Sequence, residues 1–115
     1  MRVEKPWGHE LIWAQTDKYV GKILFIKAGE QLSLQHHNVK EETIRIMSGE
    51  MTLKVGKTPD EANSNSVRMV EGDVYHIEPG LVHRMIAVED TFVLEVSTPE
   101  LDDVVRHEDA YGRAD

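Results

Sequence analysis

Between Glu10 and Ser97 the chain cannot run far in one direction. Thr16-Asp17, Gly29-Glu30, Ser48-Gly49, Glu71-Gly72-Asp73, Glu78-Pro79-Gly80 and Glu89-Asp90 each carry turn chemistry. The segments between them are short and rich in Val, Ile, Thr and aromatic residues, and helical periodicity is nearly missing. Strands are expected over Glu10–Gln15, Tyr19–Ala28, Leu32–His37, Glu42–Met47, Met51–Val55, Val67–Val70, Val74–Ile77, His83–Val88 and Thr91–Ser97. Roughly nine strands at this spacing indicate an antiparallel all-β sandwich or barrel. Gly56–Ser66 has no apolar pattern and reads as a polar loop or hairpin tip. The charged tail after Leu101 reads as an edge strand followed by a loop.

A chain of 115 residues supports a single core, so residues 1–115 are expected to form one domain. Its net charge of -8 repels nucleic acid and anionic membranes, and neither is an expected partner. An anionic substrate would need local Lys or Arg. Cysteine is absent, which excludes disulfides and thiolate metal sites. The charged start, MRVEKPWGHE, does not read as a signal peptide, and Ile23–Ile26 is far too short to cross a bilayer. A cytoplasmic location is expected.

Metal-binding chemistry is concentrated in GEQLSLQHHNVKEETIRIMSG, residues 29–49. Gln35 and His37 are two apart and share a face on an extended strand. A tight turn at Asn38–Glu41 would swing Glu42 back onto that face, and His83, in EPGLVHR, is a fourth donor. Two imidazoles, an amide oxygen and a carboxylate suit one borderline divalent cation: Zn, Mn, Ni or Fe. The amide favours the first three over redox iron. His36 alternates to the opposite face, where a solvent or interface role is expected.

The same residues resemble a family. Gly29, Gln35-x-His37, Glu42 and Gly49 match the spacing of the first cupin motif, and Gly72-Asp73 with Glu78-x-Gly80-x-x-His83 resembles the second. Gln35 stands where most cupins have a histidine, and Glu78 where they have proline. With the KPWG opening and the VVRHEDAYGR ending, the chain looks like the cupin domain of type II phosphomannose isomerases. The resemblance implies a cupin double-stranded β-helix, an antiparallel jelly-roll barrel. It also implies metal ligation by Gln35, His37, Glu42 and His83, and conversion of an aldose to a ketose. Two other readings of a cupin stand beside it: an Fe(II) dioxygenase and a non-catalytic carbohydrate-binding module.

A sugar or sugar phosphate as substrate gives the remaining polar residues roles. Lys22 and Arg113 match basic family positions and would hold a phosphate or hydroxyl. Glu95 alternates with Phe92, Leu94 and Val96 in TFVLEVS. A charge in such a strand is ordinarily at the surface, but on a face lining the barrel mouth Glu95 becomes a candidate general base. Arg84 is expected in a salt bridge and Glu78 at the turn before Gly80. Trp7 and Trp13 read as core or dimer-contact aromatics. Met47, Met51, Met69 and Met85 read as interior gap-fillers. Exposed barrel edges and the N-terminal strand suggest a homodimer.

Overall fold

The computed structural model describes residues 1–113. Strands β1 (Arg2–Lys5), β2 (Gly8–Gln15), β3 (Val20–Ile26), β4 (Leu34–His36), β5 (Glu42–Ser48) and β6 (Glu50–Gly56) come first. Helix α1 (Pro59–Ser64) follows, then β7 (Ser66–Val70), β8 (Val74–Ile77), β9 (Val82–Ala87), β10 (Thr91–Ser97) and β11 (Val105–Glu108). Two antiparallel sheets, ordered β1-β2-β3-β10-β5-β8 and β11-β4-β9-β6-β7, make the expected jelly roll. None of the described helices is long and apolar enough to cross a membrane.

Strand alternation sorts the side chains. On β10, Thr91, Val93, Glu95 and Ser97 face inward, and Phe92 and Val96 face outward. Glu95 therefore contradicts the surface placement expected for a strand carboxylate; it is 4% exposed. Register explains this, because Glu95 lies opposite Lys22 of β3 and Val93 opposite Leu24. The interior thus has a polar layer at one end. An apolar layer fills the other, with Leu24, Ile26, Ile44, Ile46, Leu53 and Val93 at 2% exposure or less.

Several local expectations are corrected. Residues 2–5 form a strand because the β1–β2 ladder, from Arg2↔Leu11 to Lys5↔Gly8, supplies pairing that their polar composition conceals. The segment 56–66 contains a helix: Thr58 accepts the Glu61 N–H at 3.1 Å, and Pro59 sits where its missing N–H costs nothing. Met47 is exposed rather than interior, while Met51, Met69 and Met85 are buried. Among the described residues Arg84 makes no salt bridge; it donates to the Leu32 and Glu108 carbonyls at 2.9 and 3.0 Å, tying β9 to the tail. The turn after Glu78 closes through its backbone carbonyl, which accepts from Leu81 N–H. Trp7 is core, but Trp13 is 55% exposed. At the β5–β6 hairpin, Gly49 has φ 95° and a Cβ there would lie 2.4 Å from the Asp90 carbonyl oxygen, so only glycine fits.

Candidate metal centre

Three donors converge at the polar end of the barrel. His37 follows β4, Glu42 opens β5 and His83 lies on β9. His37 Nε2 is 3.0 Å from Glu42 Oε1, and His83 Nε2 is 3.4 Å from the same oxygen. All three residues are buried, with donor atoms within 4.8 Å of one another.

The backbone decides which nitrogen of each ring faces the centre. His37 Nδ1 lies 2.5 Å from the Asp103 carbonyl and His83 Nδ1 2.9 Å from the Leu81 carbonyl. A carbonyl only accepts, so each Nδ1 must carry a proton, and in the neutral ring each Nε2 then presents a lone pair. In that neutral form two imidazole lone pairs and a carboxylate oxygen face one another; with Nε2 protonated as well, His37 donates to Glu42 Oε1 at 3.0 Å. With Glu42 Oε1 3.4 Å away, His83 Nε2 has no hydrogen-bond partner among the described residues, although the residue is only 1% exposed. An orphaned buried nitrogen aimed at a carboxylate is what a cation would satisfy. The backbone carbonyls behind the rings supply the orienting hydrogen bonds that ligating histidines usually have. The residues fit a divalent metal ion.

Gln35 lies directly opposite His83 in the β4–β9 ladder, and Ser33 Oγ donates to its Oε1 at 2.6 Å. Gln35 also lines the same cavity as His37. His36 points the other way, as expected, against His107 at 2.8 Å.

Lys40 escaped sequence reasoning. It is 5% exposed, with Nζ 3.1 Å from Glu95 and 3.9 Å from Glu42. Burial pulls its pKa down, but the two carboxylates outweigh burial and raise it. Burial also disfavours ionisation of Glu42, yet His37, His83 and Lys40 hold that carboxyl well below the usual range. Glu95 goes the other way: burial and the Glu42 charge push it up to about 8, against the pull of Lys40 and Lys22.

Asp103 fastens the loop between β4 and β5. It accepts the N–H groups of Asn38, Val39 and Lys40 at 3.1, 2.7 and 2.9 Å, while its own carbonyl orients His37. Hydrogen bonds from Lys40, Val39 and Asn38 lower the Asp103 carboxyl to about 2, from an ordinary 3.8. A depressed carboxyl stabilises the fold above its unfolded pKa and loses that contribution as pH falls from 3.8 towards 2. Asp103→Asn is expected to flatten this part of the stability–pH curve and lower stability at neutral pH. Urea titrations of both proteins across that range check it.

A cavity of about 250 Å³ opens beside the cluster. Gln35, His37, Lys22 and Arg113 all line it, so four expected site residues meet on one wall system. Glu42, His83 and Glu95 are not part of that lining; Glu95 is bonded to Lys40. Lys5 and Arg106 add two more cations, against Glu10 and Asp102. In a chain of net charge -8 this is a locally basic pocket. Lys22 Nζ is 3.2 Å from Glu10 Oε1. Arg113 Nε is 2.8 Å from Asp109, and its guanidinium lies 5.8 Å from the Tyr111 ring centroid. Tyr111 in turn donates to Glu30, so the DAYGR tail is anchored through residue 113.

Residues 22–98 match the cupin domain family. The chain is a cupin. Among curated relatives, mannose-1-phosphate guanylyltransferase 2 of Escherichia coli O157:H7 is 29% identical over 98% of this chain. Mannose-1-phosphate guanylyltransferase ManC of Salmonella typhimurium strain LT2 is 31% identical over 96%. In both matches the cupin chain spans 23% of the relative's length. Among solved structures, KdgF from Halomonas sp. superimposes with a TM-score of 0.74 at 16% identity, covering 89% of this chain and 90% of that one. That likeness supports the double-stranded β-helix.

Proposed function

We propose that this cupin is a metal-dependent aldose–ketose isomerase acting on a sugar phosphate of the mannose 6-phosphate type. One observation carries the reading: the inward lone pairs of His37, Glu42 and His83 sit beside a cavity walled by Lys5, Lys22, Arg106 and Arg113. The relatives named for mannose 1-phosphate support a hexose phosphate as the class of substrate.

His37, Glu42 and His83, with Gln35 as the fourth donor, would hold the cation. When bound, it would polarise the sugar carbonyl and offset the negative charge that develops as the neighbouring carbon loses its proton. The chain supplies the rest. Arg113, oriented by Asp109, holds the phosphate, and Lys22, bonded to Glu10, holds a sugar hydroxyl near the reacting carbons. Proton transfer between the two adjacent carbons needs a carboxylate within reach of the sugar. Glu95 is bonded to Lys40 and is not part of the cavity lining, whereas Glu10 is. We assign the proton carrier to Glu10 and give Glu95 a supporting role behind the ligands.

The test is proton NMR in D2O with metal-loaded protein and a panel of aldoses and their 6-phosphates. Deuterium at C2 accompanied by ketose is expected for a phosphorylated hexose. His37→Ala and Glu10→Gln should abolish it, while Glu95→Gln retains metal and part of the exchange. A chain that holds one metal ion yet exchanges no sugar would overturn the proposal.

A further inference from the structure

Among the cations of the cavity, Lys5 stands apart. It is half-buried and lines the space beside Val3, because β1 turns Arg2 and Glu4 outward and Val3 and Lys5 inward. Lys22 is bonded to Glu10, and Arg113 to Asp109. Lys5 has neither an ion pair nor a side-chain hydrogen bond among the described residues. Its backbone is fixed all the same. Lys5 pairs with Gly8 across the turn at Pro6-Trp7, where Trp7 is buried and its carbonyl accepts the Lys27 N–H at 3.0 Å.

Strand register places Lys5 at one end of the cavity. Ser97 of β10 lies opposite both Glu42 of β5 and Val20 of β3, so Val20 marks the level of the metal ligands. Gly8 lies opposite Ile26, at the other end of β3, and Lys5 is paired with Gly8. From Val20 to Ile26 the strand rises roughly 20 Å, part of which the long lysine stem spans. The other sheet orders the tail in the same sense. Asp103 meets His37, Arg106 lies opposite Gln35, and Tyr111 reaches Glu30 and Gln31, so the chain leaves the ligands behind as it approaches Arg113. Lys5 and Arg113, from opposite ends of the sequence, thus line the cavity at its end remote from the metal centre. Lys22 lies level with Glu95, nearer the ligands.

Resting on the isomerase reading for the identity of the ligand, we infer that Lys5 is the residue that selects where the substrate carries its phosphate. With Arg113 it seats the anion at the end of the carbon chain farthest from the reacting carbons. A phosphate monoester carries about −1.5 to −2 near neutral pH, so in a chain of net charge -8 it needs more than one cation. Arg113 offers a planar fork oriented by the buried Asp109, and Lys5 a point charge with no carboxylate to displace. With C1 and C2 at the metal end, a phosphate at C6 reaches that seat and one at C1 does not.

Calorimetric titration of the zinc-loaded chain with mannose 6-phosphate and mannose 1-phosphate tests this. The 6-phosphate is expected to bind about tenfold or more tightly. Lys5→Met should weaken it about 10–100-fold, the loss of one charged hydrogen bond, and bring the two ligands close together. Lys5→Arg, which keeps the charge, should restore most of the affinity, with circular dichroism and metal stoichiometry checking the fold of each variant. In the isomerase assay the Lys5→Met loss should fall on KM rather than kcat, since the phosphate is held alike in ground and transition states. Lys5 also borders a second cavity, of about 280 Å³, with Arg2, His9 and Lys27. Lys27 lines only that one, so Lys27→Met should bind as the wild type does. Equal affinity of the wild type for the two ligands, which needs no variant to measure, overturns the inference. So does unaltered binding by Lys5→Met, or a loss in Lys27→Met as large as in Lys5→Met. Lys5-dependent binding of the 6-phosphate without turnover would sustain the seat and remove the isomerase.

Discussion

Lys40→Met is expected to destabilise the chain by about 3–5 kcal/mol, because it removes one partner of a buried ionic cluster. Lys40 Nζ lies between Glu95 at 3.1 Å and Glu42 at 3.9 Å, and all three residues are 5% exposed or less. The methionine stem replaces most of the lysine stem, so the cost is electrostatic rather than a cavity. Urea unfolding should show a lower midpoint with an unchanged slope. Lys40→Met combined with Glu42→Gln should recover much of the loss, since Glu42 is the carboxyl held ionised and its orphaned charge is then gone. A single-variant loss below about 1 kcal/mol, the range of exposed pairs, would mean that the cluster is solvated. The pH dependence gives an independent check. Glu95 titrates near 8 in the fold against an ordinary 4.5, so its contribution is full below 4.5 and is lost as pH rises through 8. Without Lys40 the Glu95 carboxyl moves higher still, and the decline should continue to more alkaline pH than in the wild type.

Glu42→Gln is expected to abolish metal-dependent stabilisation. A ligand that binds only the folded chain stabilises it by about 4 kcal/mol at a thousandfold excess over its dissociation constant. A thermal scan of wild-type protein with Zn, Mn, Ni or Fe(II) should therefore show a rise in melting temperature. Glu42 Oε1 is the atom both imidazoles face, at 3.0 and 3.4 Å. Replacing that carboxylate with an amide removes the site's anionic donor and should weaken binding more than the 10–100-fold typical of losing an outer hydrogen-bond partner. Calorimetric titration reads the affinity directly. Wild-type protein that none of these metals stabilises would mean that the cluster is not a metal site.

The succession of short β segments and turn signals determined the all-β barrel. The period of two along TFVLEVS and LQHH separated inward from outward side chains, because alternation is intrinsic to an extended backbone. The spacing of His37, Glu42 and His83 likewise pointed to three donors that the fold brings within 4.8 Å of one another, with Gln35 opposite His83 in the ladder. Alternation does not say which face is the interior, and that is why it leaves Glu95 between a surface charge and a base at the barrel mouth. Its burial follows from the register with Lys22 and from an ammonium that reaches it across 55 residues. Asp103 is equally illegible in sequence, since the amides it caps lie 63–65 residues away. Glu10 and Lys5 acquire a role only because β1 and β2 fold against β3 to wall the cavity. Local composition and periodicity were enough for the strands and the ligand types. The partners of buried charges were decided by long-range strand pairing, because the desolvation that makes a partner necessary exists only once the barrel has closed.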